Sequence, residues 1–152
     1  ITPAADQTTA TLRREIDAFV RQGLLSREEA KLVYVPVLAA FCQSDIGRRM
    51  AESPELHREY PFTVLVAGGD PLPETETGAQ ILIQGVIDCL FREDDAWILV
   101  DYKSDRLETA DAFRSRYAVQ LALYKRAVEQ ITHRPVEETY IYSLHLQQEI
   151  RL

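Results

Sequence analysis

The hydrophobic period of this chain changes once, near Leu56, and that change limits the possible folds more than any other feature. Before it, apolar residues recur at helical spacing, and helices are expected over 11–22, 26–34 and about 37–52. Leu12, Ile16, Phe19 and Val20 form one apolar stripe, with Arg13, Arg14, Asp17 and Arg21 turned outward. Ser26 followed by Glu29 reads as a capping box, and Gly23 ends the helix before it. After Leu56 the period becomes two: Tyr60, Phe62, Val64 and Val66 alternate as in a strand. Two β-rich runs, 79–91 and 96–103, flank the polar turn 92–95 and predict an antiparallel hairpin. A long helix is expected over 111–130 and a final strand over 136–146, while 68–78, rich in glycine, proline and acids, reads as a solvated loop. The class is α/β, with a mixed central sheet flanked by helices.

Length and composition exclude several functions. At 152 residues the chain suits a single domain, a helical lead-in over 1–54 and a core over 55–152. Seventeen basic residues against 24 acidic ones give a net charge of -7, so bulk attraction to polyanions is ruled out and any nucleic-acid contact must be local. The longest nearly apolar stretch, 34–42, is broken by Pro36 and falls well short of the ~18 residues a membrane helix needs. Cys42 and Cys89 are too few for a disulfide framework or a four-ligand zinc or iron–sulfur site, and both read as reduced, buried thiols. No phosphate-binding loop of the Gly-x-x-x-x-Gly-Lys-Ser/Thr type occurs, so no ATP site is expected in these residues. The opening at Ile1, without an initiator Met, reads as a fragment of a longer polypeptide.

Chemistry concentrates at the end of the second strand of the expected hairpin. In Val100-Asp101-Tyr102-Lys103 the period of two sends Asp101 and Lys103 to one face. Their plain reading is a strand-end salt bridge. Asp88 adds a second acid within the neighbouring apolar strand, preceded by Gly85, which permits a bend or a close approach. Pairing about the 92–95 turn brings Asp88 and Asp101 near each other, where a divalent cation would neutralise both; the alternative is one protonated acid or one paired to Lys103. On the long helix Gln120 and Tyr124 stand one turn apart with Tyr117 on the same side, either lining a cleft or edging the core. Arg114, Arg116, Lys125 and Arg126 supply positive charge along the same helix and are candidate phosphate contacts.

Taken in order, Gly85-Val86-Ile87-Asp88, Val100-Asp101-Tyr102-Lys103-Ser104-Asp105 and Gln120-Leu121-Ala122-Leu123-Tyr124 resemble the three motifs of RecB-type nucleases of the PD-(D/E)XK superfamily. His57-Arg58-Glu59-Tyr60-Pro61-Phe62 and the lead-in with Gly47-Arg48-Arg49 resemble more narrowly the C-terminal nuclease domain of AddA-type helicase/nuclease subunits. The resemblance covers nearly the whole chain. It implies a restriction-endonuclease-like core in which Asp88 and Asp101 bind catalytic Mg²⁺ or Mn²⁺, with the Cys89 carbonyl as a further ligand. Lys103 would orient or activate the attacking water, supported by Gln120 and Tyr124. The implied partners are DNA, the remainder of a parent helicase chain and an AddB-type second subunit, in the bacterial cytoplasm, in the resection of double-strand breaks.

One departure stands out. The family usually supplies a histidine ligand from a Gly-Thr-x-x-His helix, and these residues hold no such sequence. His57, His133 and His145 do not match its position, and Glu59 is a weaker candidate. The rival readings are a nuclease-fold scaffold that has lost catalysis, and a standalone RecB-like nuclease of CRISPR spacer acquisition, against which the absence of a cysteine cluster argues.

Overall fold

The computed structural model describes residues 7–67 and 80–152, so the expected loop over 68–78 lies outside the described residues. The chain divides into two compact units, one formed by Ile1–Glu52 with Gln147–Glu149 and the other by Ser53–Leu146 with Ile150–Leu152.

The first unit carries α1 (Thr9–Arg21), α2 (Arg27–Leu32), α3 (Val35–Gln43) and α4 (Asp45–Glu52). The Ser26 hydroxyl accepts from Glu29 N and the Glu29 carboxylate accepts from Ser26 N, the reciprocal cap read from the sequence. Gly23, at φ 73°, follows the end of α1 in the left-handed region that favours glycine. Leu12, Ile16, Val35 and Ala39 form the core of the unit. The single helix expected over about 37–52 is two. Ser44 breaks it, donating its hydroxyl to Phe41 O at 2.7 Å and accepting from Gly47 N at 3.1 Å, so it ends α3 and caps α4.

The second unit holds β1 (Leu56–Ala67), β2 (Gln80–Glu93), β3 (Ala96–Lys103), α5 (Ala110–Thr132) and β4 (Val136–Ser143), and β5 (Gln148–Arg151) follows. The five strands form one sheet in the order β1-β2-β3-β4-β5. β1 and β2 are antiparallel, as are β2 and β3, whereas β3 and β4 run parallel, with α5 as the connection between them. The sheet is therefore mixed. The final strand expected over 136–146 stops at Ser143, whose hydroxyl accepts from Leu146 N in the turn that leads to β5.

Phe113, Leu121, Ala127 and Val128 of α5 pack with Phe62, Val64, Leu90, Leu99 and Ile141 of the sheet. Each of these side chains other than Ala127 contributes about 1.5–3 kcal/mol on burial. Alternation along β3 puts Trp97 and Leu99 on this helix-facing side, and Asp101 and Lys103 follow in the same phase.

The ladder between β1 and β2 passes from Arg58–Cys89 to Tyr60–Ile87, omitting the rung of Glu59 and Asp88, and Glu59 has a φ of 50°. Ile87 and Leu90 both reach the same core although three residues apart, which a regular strand forbids. Asp88 stands at this irregularity. Gly85 serves a different purpose: a Cβ there would come 2.8 Å from the Phe62 ring and 3.3 Å from that of Tyr124. Glycine lets α5 settle close to β2.

Candidate active site

Asp101 and Lys103 meet as their common face requires. Lys103 Nζ lies 2.6 Å from Asp101 Oδ2, and the two side chains are only 15% and 4% exposed, the lysine first. The ion pair of the plain reading is thus present, yet Asp101 Oδ2 is buried and accepts no hydrogen bond of good geometry from the described residues. Lys103 Nζ also donates to Gln120 Oε1 at 3.2 Å, and Gln120 Nε2 donates to the Tyr124 hydroxyl at 2.9 Å. Because an ammonium only donates, the lysine fixes which end of the amide faces it. Strand and helix are joined into one polar chain, Asp101–Lys103–Gln120–Tyr124.

Two aromatic contacts complete its walls. The Tyr124 ring meets Phe62 edge-on at 5.3 Å, in the space Gly85 leaves open. Lys103 Nζ sits 4.5 Å from the centroid of Tyr117. The Tyr117 hydroxyl bonds Asp105, and this bond, with help from Arg116 and Lys103, holds the Asp105 carboxyl below its ordinary value of 3.8. Arg116 pairs loosely with Asp105 at 3.6 Å.

Asp88 takes a neighbouring place. Its Oδ2 accepts from Tyr102 N at 2.8 Å, so its side chain reaches across to the end of β3 just beyond the last paired rung, Cys89–Val100. The Asp101 carboxyl is pushed above 3.8 chiefly by burial, against the pull of Lys103, and the charge of Asp88 adds to the upward shift. The Asp88 carboxylate is therefore near enough to act on Asp101. Burial likewise pushes the Cys89 thiol up to about 12, so that side chain is a poor donor and only its carbonyl is a candidate ligand.

The donor set matches a hard divalent cation: two carboxylates, one of them buried and shared with the Lys103 ammonium. Among the described residues no group of three or more His, Cys, Asp or Glu side chains is placed to hold a metal ion. Glu59 is exposed and makes no ion pair or hydrogen bond among the described residues. The histidines are engaged elsewhere: His57 contacts Glu55 and Trp97, His133 caps α5, and His145 lies 3.8 Å from Glu108.

The candidate phosphate contacts of α5 are spread around the helix relative to Gln120. At 100° per residue Arg116 lies about 40° from Gln120, but Arg114, Lys125 and Arg126 lie roughly 120–140° away. They also have partners: Arg114 pairs with Asp111 and donates to Arg151 O, Lys125 approaches Glu129 at 4.0 Å, and Arg126 donates to Ala67 O. Only Arg116 adjoins the site. Beside it stand Tyr117, expected on the Gln120 side of the helix, and Asp105, which carries no role in the sequence reading. Their signal was present in the Lys103-Ser104-Asp105 run and in a phenol one turn before Gln120.

The order of Gly85 to Asp88, Asp101 to Lys103 and Gln120 to Tyr124 along the chain, now converging in space, agrees with sequence comparison. The profile of the PD-(D/E)XK nuclease superfamily matches residues 2–150. The chain belongs to the PD-(D/E)XK nuclease superfamily. Among similar proteins is an ATP-dependent helicase/nuclease subunit of Geobacillus kaustophilus (strain HTA426), 39% identical over 146 residues, which cover 87% of this chain and 12% of that protein. The subunit of the same name from Alkaliphilus oremlandii (strain OhILAs) is 37% identical over 145 residues, 93% of this chain and 12% of its own length. That of Carboxydothermus hydrogenoformans (strain ATCC BAA-161 / DSM 6008 / Z-2901) is 36% identical over 151 residues, 97% and 13%. The chain thus spans about an eighth of the length of these relatives. Superfamily membership agrees with the mixed sheet, and these nucleases generally use divalent metal ions.

Proposed function

We propose that this chain is the nuclease domain of a bacterial helicase/nuclease and hydrolyses phosphodiester bonds in DNA. The observation that carries the reading is the unbroken polar chain from Asp101 through Lys103 and Gln120 to Tyr124, beside a second acid, Asp88. Asp88 and Asp101 would hold Mg²⁺ or Mn²⁺, with the Cys89 carbonyl as a further ligand. A divalent ion bound there supplies positive charge beside the scissile phosphate and acidifies water. Lys103 adds a fixed ammonium where negative charge develops in the transition state. Gln120, oriented by Tyr124, holds that ammonium in place. Arg116 is the one cation of α5 suited to a phosphate near the site.

The wider assignment follows the relatives, whose names describe helicase/nuclease subunits. A domain of net charge -7 gathers DNA poorly by itself, which fits delivery by a helicase and a second, AddB-type subunit during resection of double-strand breaks. Cytoplasmic location accords with that role, and no helix among the described residues is long and apolar enough to cross a membrane.

Cleavage of end-labelled single- and double-stranded DNA in Mg²⁺ or Mn²⁺ tests the proposal. Wild type should cut only with metal, and Lys103→Ala should lower the rate by about 100-fold or more. Cleavage that survives the substitution undiminished would overturn the assignment of Lys103. A second reading, a scaffold without catalysis, draws on the lack, among the described residues, of a group of three or more His, Cys, Asp or Glu side chains placed to hold a metal ion. It predicts DNA binding without cleavage.

A further inference from the structure

The first unit contains a groove of roughly 720 Å³ formed by α1, α2 and the start of α3. Its rim carries Arg13, Arg21, Arg27 and Lys31 against a single acid, Asp17. In a chain with seven more acids than bases this is a local reversal of sign. Lys31 is shared with Glu28 at 2.8 Å, but Arg13, Arg21 and Arg27 form no ion pair or hydrogen bond among the described residues. Elsewhere in the molecule arginines such as Arg48, Arg92, Arg114 and Arg134 are paired with acids.

The floor is aliphatic. Ile16, Val20, Val33 and Val35 line it, and Ile16 and Val33 also line an adjoining hollow with Phe19, Leu24 and Leu38. Leu24 and Tyr34 are 66% and 68% exposed. Ile16 and Val35 are nearly buried, at 5% and 8%, so the apolar surface within reach of a ligand is that of Val20, Val33, Leu24 and Tyr34, gathered on one side of the unit.

We propose that this groove docks an acidic amphipathic helix of a partner protein. Such a helix brings aliphatic side chains at i, i+3, i+4 and i+7 to the floor and carboxylates to the three unpaired arginines. Charge complementarity selects the partner and speeds encounter, while the aliphatic floor supplies most of the affinity. A nucleic-acid strand would satisfy the arginines but leave the floor without apolar contacts and find only Tyr34 to stack on. The proposal uses none of the residues of the candidate active site, so it stands or falls separately.

Fluorescence anisotropy with the 152-residue chain tests it. The probe is a labelled peptide of about 18 residues with Leu at i, i+3, i+4 and i+7 and Glu at most other positions. It should bind, weaken with rising salt, and lose roughly tenfold or more in affinity when Arg13→Glu, Arg21→Glu and Arg27→Glu are combined. The same composition scrambled to break the apolar stripe should bind about tenfold more weakly. These substitutions lie on exposed side chains, and unchanged circular dichroism confirms that the fold is intact. The proposal is overturned by no binding, by equal binding of the scrambled peptide or the triple variant, or by displacement of the peptide by an oligothymidylate.

Discussion

Lys103 is held from three directions: by Asp101, by the Gln120 carbonyl and by the face of Tyr117. Each contact fixes the ammonium without consuming it, which is what charge stabilisation in a transition state requires. If Lys103 works as proposed, Tyr117 acts through it, as a positioning residue. Tyr117→Phe keeps the ring and should leave kcat within about threefold of wild type, whereas Tyr117→Leu should lower kcat roughly tenfold with little change in KM. Equal loss in both variants would show that the hydroxyl, not the ring, matters. The hydroxyl has its own signature at Asp105, whose folded carboxyl lies below 3.8. A depressed carboxyl contributes stability that is present above pH 3.8 and is lost as pH falls through the lower, folded value. Carboxyl NMR titration should place Asp105 below 3.8 in wild type and move it upward in Tyr117→Phe.

At the scale of elements, legibility followed local chemistry. The Ser26–Glu29 cap, the β2–β3 hairpin and the long α5 are written in adjacent residues, and so they could be read directly. The break at Ser44 was also local but sat inside an apolar run, where the period signal overrode a serine. β5 is four residues long, too short to display a period. The basic residues of α5 are close in sequence but spread around the helix, because proximity in sequence is not proximity on a helix face. Gly85 shows the limit most clearly: its neighbours in the sequence do not reveal that Phe62 and Tyr124 would collide with a Cβ. Gly85→Ala should destabilise the fold by about 1–3 kcal/mol in urea unfolding, because Phe62 is buried and cannot swing away, and should lower cleavage by displacing Tyr124. Wild-type stability in that variant would mean that β2 and α5 have room to separate.

For the whole molecule, the convergence of Asp88, Asp101, Lys103 and Gln120 was legible as an ordered set of motifs, but the contacts that unite them were not. They depend on strand register and on the rotation of α5, both of which are tertiary outcomes. Charge acts at this scale too. With a net charge of -7 and one basic residue of α5 at the site, DNA binding by the chain alone should depend weakly on salt, with a log–log slope smaller than about 3 in magnitude. A slope near that of proteins making many phosphate contacts would show that DNA engages far more cations than Arg116.

In the proposed nuclease, Asp88 and Asp101 share one divalent cation. Titration of Mn²⁺ into the chain, followed by water-proton relaxation, tests it independently of cleavage. One ion should bind per chain, Asp88→Asn or Asp101→Asn should weaken it by about tenfold or more, and Lys103→Ala should retain it. Binding that is unchanged in both asparagine variants would contradict the account.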